Sequence, residues 1–95
     1  IGIMSAGSVP KRLATLFLAL GERFGDEQED GTLSMPIALS RGELACLVGA
    51  RVETTIRTVR RWERAEILET QSDGFMIKDV RALVEETRAR GSRED

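Results

Sequence analysis

Apolar positions along the chain fall into stretches of helical spacing interrupted by three short runs of strand character. From Ser8 or Val9 to about Phe24, Leu13, Leu16, Phe17, Leu20 and Phe24 recur at three- and four-residue intervals, the stripe of an amphipathic helix. Pro10 fits its first turn and Gly25 supplies a stop. The polar segment GDEQEDGT, residues 25–32, reads as an acidic loop. Leu33 to Met35 follow as a short strand ended by Pro36, and proline's missing donor places it at a sheet edge. Ser40 with Glu43 three residues on is a capping box, and Leu39 and Leu44 are spaced as a hydrophobic staple, so a helix begins at about Arg41. Gly49, after Leu44, Leu47 and Val48, ends that helix in a left-handed turn. The next helix starts almost at once and runs from about Val52 to Arg64, with Val59 and Trp62 toward the core. Ile67 to Gln71 and Phe75 to Ile77 flank Ser72-Asp73-Gly74, whose Asp-Gly pair signals a hairpin. Asp79 caps a last helix in which Val80, Leu83 and Val84 make a narrow apolar stripe.

A short strand, a helix-turn-helix and a hairpin in this order predict a winged helix, mainly α with a small antiparallel β-sheet (α+β). Residues 1–8 read as a linker or remnant, 9–87 as the winged-helix domain and 88–95 as a polar tail, with no internal repeat. The chain opens on Ile1 rather than methionine, which suggests a piece of a longer protein.

Composition narrows the function classes. With 95 residues, 41% apolar and 32% charged, the chain is a small globular domain of the soluble class. No apolar run approaches the ~20 residues that span a bilayer, and no signal-peptide pattern is visible, so the expected location is cytoplasmic, away from any membrane. Histidine is absent and Cys46 is the single cysteine, which removes the commonest general base and metal ligand and any internal disulfide. Enzyme and metal-site readings fall with them, and Cys46 reads as a semi-buried structural thiol.

Charge supplies the positive clue. The chain carries a net −2, yet Arg51, Arg57, Arg60, Arg61 and Arg64 oppose only Glu53 and Glu63 in the second helix of the motif, a local +3. Asp26, Glu27, Glu29 and Asp30 cluster in one loop, and Glu85, Glu86, Glu94 and Asp95 lie toward the far end. Screening over a Debye length of about 8 Å lets a local basic face act apart from distant acids. Non-specific DNA binding is expected to be weaker than for a strongly basic domain.

From Lys11 to Leu83 the chain resembles the C-terminal DNA-binding domain of the CRP/FNR family of bacterial transcription regulators. The resemblance rests on RLATLFLALGERFG, LSRGELACLVG, VETTIRTVRRWE, ILE and GFMIKD occurring in that order. It implies a winged helix whose second motif helix reads the major groove of double-stranded DNA. It also implies a homodimer in the full-length protein, RNA polymerase as a further partner and a palindromic operator with half-sites ~34 Å apart. No cofactor is expected in this chain, because an effector would bind an N-terminal sensor domain absent from it.

Residue by residue, Glu53 and Arg57 lie one helical turn apart and point the same way. Arginine can donate twice to guanine O6 and N7 and glutamate can accept from cytosine N4, each pair giving ~1–3 kcal/mol of discrimination. The resemblance gives this pair the role of half-site reader. On spacing alone, the same pair is equally an ion pair on a solvated face, worth ~0.3–0.5 kcal/mol. Ile56 departs from the small or polar residue seen in well-known members. Partly exposed, it would face a base, as an apolar side chain beside a thymine methyl does; buried, it would join Val52 and Val59 in a core stripe with Thr55 turned outward. Partial exposure is the reading adopted. Ser40, Arg41, Arg51 and Thr54 lie at helix starts where phosphate oxygens can be met, although capping alone suffices for Ser40. Arg60 and Arg61 can track the DNA backbone, and Arg64 reads as a bystander. Thr55 and Thr58 replace larger apolar residues of the family, and Glu66 stands where it often turns with glycine.

Two rivals remain at this point. One is a winged helix serving protein contact without sequence-specific DNA binding, its arginines facing an acidic partner. The other, an enzyme fragment with Cys46 as nucleophile, lacks a histidine to act as base.

Overall fold

Phe17 meets both halves of the domain. Its ring stands edge-on to Trp62 at 6.3 Å and to Phe75 at 5.0 Å between centroids, so one side chain joins the first helix to the motif and to the hairpin. A computed structural model of the chain describes residues 7–88. The linker reading of residues 1–6 and the tail reading of 89–95 lie outside the described residues.

The elements are α1 (Val9–Phe24), β1 (Asp26–Glu27), β2 (Leu33–Met35), α2 (Arg41–Val48), α3 (Val52–Arg64), β3 (Leu68–Gln71), β4 (Gly74–Ile77) and α4 (Val80–Arg88). Leu13, Phe17, Met35, Leu44, Val48, Val59, Trp62, Phe75, Ile77 and Leu83 form one buried cluster to which every helix contributes. The helix starts follow their capping residues. Ser8 Oγ accepts from Lys11 N at α1, Ser40 and Glu43 close a complete capping box at α2, and Asp79 Oδ1 accepts from Ala82 N at 3.0 Å at α4. Leu39, packed against the core, and fully buried Leu44 complete the staple.

The sheet departs from expectation in three places. The acidic segment contains a two-residue strand, β1, paired antiparallel to β2 through Asp26–Ser34 and Glu27–Leu33. The order β1-β2-β4-β3 therefore puts β2 inside the sheet rather than at its edge. Pro36 is accommodated because β1 ends opposite Leu33 and Ser34, leaving the outer side of Met35 without a partner strand. In the hairpin, Gln71 pairs with Gly74, so the loop is Ser72-Asp73 and Gly74 belongs to β4. Gly74 does not adopt a positive φ. A Cβ there would stand 2.1 Å from Met35 O and 2.8 Å from Ile37 N, so the position needs glycine for the close approach of β2, not for the turn.

Three burial expectations also fail. Cys46 is exposed rather than semi-buried, because α2 turns Leu44, Ala45 and Val48 inward. Phe24 and Leu47, counted in apolar stripes, are 52% and 49% exposed. Phe24 lies in the last turn of α1, beyond the buried Gly21, with the Arg23 guanidinium 5.8 Å above its ring.

Candidate nucleic-acid interface

The turn between α2 and α3 is built from Gly49, at φ 66°, and two backbone bonds that close the end of α2. Ala50 N donates to Ala45 O at 2.9 Å and Gly49 N to Cys46 O at 3.3 Å, which satisfies carbonyls a helix end leaves open. Arg12 of α1 adds a side-chain clamp, its Nε donating to Val48 O at 2.8 Å and its Nη2 to Gly49 O at 3.3 Å. Residue type and position gave no sign of this contact, which depends on α1 crossing the turn.

Helix α3 presents two unlike faces. Thr55, Thr58, Val59 and Trp62 are buried, and the two threonine hydroxyls donate to the carbonyls of Arg51 and Thr54 at 3.0 and 2.9 Å. Their polarity is thus absorbed inside the helix, which lets both threonines lie buried. Trp62 Nε1 has no partner among the described residues. On the opposite side Glu53, Arg57, Arg60, Arg61 and Arg64 are exposed. Glu53 and Arg57 share this face without an ion pair between them; instead Arg57 Nη2 makes a long 3.5 Å contact with Thr54 Oγ1. Ile56 is half-buried, in line with partial exposure, whereas Thr55 is fully buried and Val52 is 46% exposed, so the core-stripe alternative fails on both counts.

The remaining candidates are placed as follows. Arg51 is the exposed N-cap of α3 and makes no side-chain capping bond, while Thr54 is half-buried in the first turn. Ser40 Oγ is occupied by the capping bond from Glu43 N at 3.0 Å. Arg41 is partly withdrawn into the fold: its Nη2 donates to Thr70 Oγ1 at 2.9 Å and lies 3.5 Å from Glu63 Oε2, and Thr70 Oγ1 donates to that same carboxylate at 2.6 Å. This triad joins the start of α2, the end of α3 and the wing strand β3. Thr70 was invisible to sequence reasoning because its role depends on the fold of the hairpin. Arg61 Nη2 meets Glu86 Oε1 of α4 at 3.2 Å. Both arginines keep substantial exposure, and surface pairs of this kind contribute only ~0–1 kcal/mol, so a phosphate can compete for either.

Between α3 and the hairpin, Glu66 takes φ 62°, a left-handed backbone that is uncommon outside glycine. Lys78 on the adjoining strand end holds it, donating to Glu66 Oε1, and this bond raises the lysine pKa above its ordinary value. Among the described residues no group of acids and cysteine could hold a metal ion, and no helix is long and apolar enough to cross a membrane.

Residues 11–86 match the family model described as the Crp-like helix-turn-helix domain. The chain belongs to that family. The Crp-like domain is accordingly a DNA-binding domain of transcription-regulator type, with a winged helix-turn-helix fold. Its fold is similar to that of TTHA1359, a transcriptional regulator of the CRP/FNR family from Thermus thermophilus. TM-score is 0.73 and identity 24%, over 90% of this chain and 43% of that one. It is also similar to reduced CprK without ligand, at TM-score 0.76 and 20% identity over 83% of this chain and 38% of that one. Oxidised CprK in complex with o-chlorophenolacetic acid gives TM-score 0.79 and 19% identity over 87% and 34%. The Crp-like domain thus spans less than half the length of these proteins. No curated protein sequence matches it.

Proposed function

We propose that this domain is the sequence-specific reader of a CRP/FNR-type regulator, with α3 in the major groove of one half of a palindromic operator. The observation that carries the reading is the outer face of α3, where Glu53 and Arg57 stand one turn apart, exposed and not paired with each other, within a cluster of five arginines. In the groove Arg57 donates to guanine O6 and N7 and Glu53 accepts from cytosine N4, with Ile56 as the third base-facing side chain. Arg51, Arg60, Thr54 and the start of α2 at Ser40 meet phosphates and fix register, and Arg41 and Arg61 join them by exchanging Glu63 and Glu86 for phosphate oxygens. The domain's work is binding rather than catalysis. Dimerisation, any contact with RNA polymerase and effector sensing belong to the complete cytoplasmic regulator, where an effector acts by changing how two such readers are oriented.

In vitro selection from random duplex DNA, using the chain dimerised through a fused coiled coil and scored at two salt concentrations, tests this reading. Enrichment of a palindromic motif whose binding weakens with salt is the expected result. A correctly folded dimer that enriches no motif contradicts it and favours a protein-contact role for the same basic face.

A further inference from the structure

Arg61 belongs to the basic face of α3, yet its guanidinium is already engaged by another helix. A groove of about 190 Å³ between the start of α1 and α3 is lined by Pro10, Thr54, Arg57, Thr58 and Arg61, so Arg61 opens onto the same surface as Arg57. From α4, Glu86 Oε1 accepts from Arg61 Nη2 at 3.2 Å across 25 positions of sequence. The arginine side chain is 53% exposed and the carboxylate 22%, so an incoming anion still reaches the arginine.

Glu86 is poorly placed for the helix that carries it. It stands in the last turn of α4, where the negative end of the helix macrodipole disfavours a carboxylate. Glu85 in the same turn is offset by Arg88, three residues on, at 3.6 Å. Among the described residues Glu86 pairs with Arg61 and with no cation of its own helix. Glu63 also ends its helix, but its carboxylate joins Arg41 to Thr70 and so ties the motif to the hairpin. Glu86 links no third group, and its charge acts on Arg61. If Arg61 meets a phosphate with Glu86 still beside it, a negative charge is brought close to the DNA backbone; if Arg61 leaves Glu86, it gives up an ion pair. Either way the contact is weaker than a free arginine would make it.

We infer that Glu86 is an affinity-limiting residue, a built-in competitor of the DNA phosphate for Arg61 that lowers binding to every duplex by a similar factor and leaves the preferred sequence unchanged. The inference rests on the proposed phosphate-contacting role of Arg61 and adds to it a residue of α4, outside the helix-turn-helix, that sets how tightly DNA is held. In the sequence Glu86 counts among acids far from the basic face, and only the fold brings it there.

The test compares wild type with Glu86→Gln on the selected operator and on random duplex DNA, with the chain dimerised through the fused coiled coil and binding followed over a range of salt concentrations. Glu86→Gln is expected to tighten both duplexes by about two- to fivefold, the upper value being the ~1 kcal/mol of an exposed ion pair, and the gain should shrink as salt rises. Glu85→Gln makes the same change of charge one residue away, on a carboxylate paired with Arg88, and is expected to alter binding far less. In an Arg61→Gln background the gain from Glu86→Gln should disappear, which a general loss of negative charge would not produce. Trp62 fluorescence in urea checks the fold, and Glu86→Gln is expected to be no less stable than wild type. Unchanged or weakened affinity of folded Glu86→Gln, a gain on one duplex only, an equal gain from Glu85→Gln, or a gain that persists without Arg61 overturns the inference while leaving the reading role of α3 intact. Failure of the folded wild type to bind any duplex overturns both.

Discussion

Arg12 Nε donates to the carbonyl of Val48 at 2.8 Å, tying the second turn of α1 to the last residue of α2 across 36 positions of sequence. The end of a helix leaves its carbonyls without partners, and here the helix is followed at once by a left-handed glycine and by α3. A charged donor at that point therefore stabilises the angle between the two helices of the motif as well as the fold.

Arg12→Ala is expected to lower stability by about 2 kcal/mol, the scale of hydrogen bonds to a charged group. Trp62 is the only tryptophan and is fully buried, so its fluorescence during urea unfolding reports the loss directly. Arg12→Lys should recover part of it, because an ammonium can reach one carbonyl but not fork across two. A substitution that leaves the urea midpoint unchanged would show that the clamp is dispensable.

Gly74→Ala is expected to cost about 3 kcal/mol, at the upper end for overpacking, since the atoms in the way are backbone atoms of the β2 segment. The hairpin would have to part from β2 to relieve the contact. Amide exchange should speed up at Met35 and Phe75, which face each other across that pairing. Gly31→Ala, where a Cβ meets nothing within 4 Å but φ is +90°, offers a comparison in which strain acts without collision.

Most of the architecture was legible in sequence because its signals are local. The capping box at Ser40, the glycine at 49 and the periodicity of α1 each act within a few residues, and α2 and α3 begin where those signals put them. The failures are contacts over distance. The two-residue β1 exists only because β2 is there to pair with, and Gly74 is set by the nearness of Met35 rather than by the turn beside it. Exposure of Cys46 and Leu47 depends on how α2 is rolled against α1, which a helix of eight residues does not encode in its own pattern. For the candidate interface, residue type and spacing singled out Glu53, Arg57 and the neighbouring arginines, and the packed structure leaves these side chains exposed. Withdrawal of Arg41 toward Glu63 and Thr70, and exposure of Val52, required the packed structure.

At Glu66 the left-handed backbone makes a specific comparison available. Glu66→Gly and Glu66→Ala both lose the bond from Lys78, but only alanine retains the strain of φ 62°. The glycine variant is expected to be the more stable of the two by about 1 kcal/mol in urea unfolding. Equal stabilities would mean that the turn relaxes around alanine.

The Lys78 bond also gives a pH signature. The lysine pKa in the folded chain is raised above its ordinary 10.5, first by its hydrogen bond with Glu66. Protonated lysine is therefore favoured by folding, and the contribution is complete below pH 10.5 and lost as pH rises through the raised value. Wild type and Lys78→Met should differ in thermal stability at neutral pH and converge in strongly alkaline buffer. A difference that persists there would assign the lysine's role to its aliphatic stem.

The central claim, that α3 reads base sequence, is tested most directly by comparing Arg57→Ala with Arg51→Ala on a selected operator and on random duplex DNA. Arg57→Ala is expected to lose about 10- to 100-fold on the operator, the ~1–3 kcal/mol of a base-reading pair, and to change binding to random DNA far less. Arg51→Ala should weaken both duplexes alike and reduce the salt dependence by about one phosphate contact. Equal losses on operator and random DNA for Arg57→Ala would contradict base reading by α3 and reduce its arginine face to general attraction for the DNA backbone.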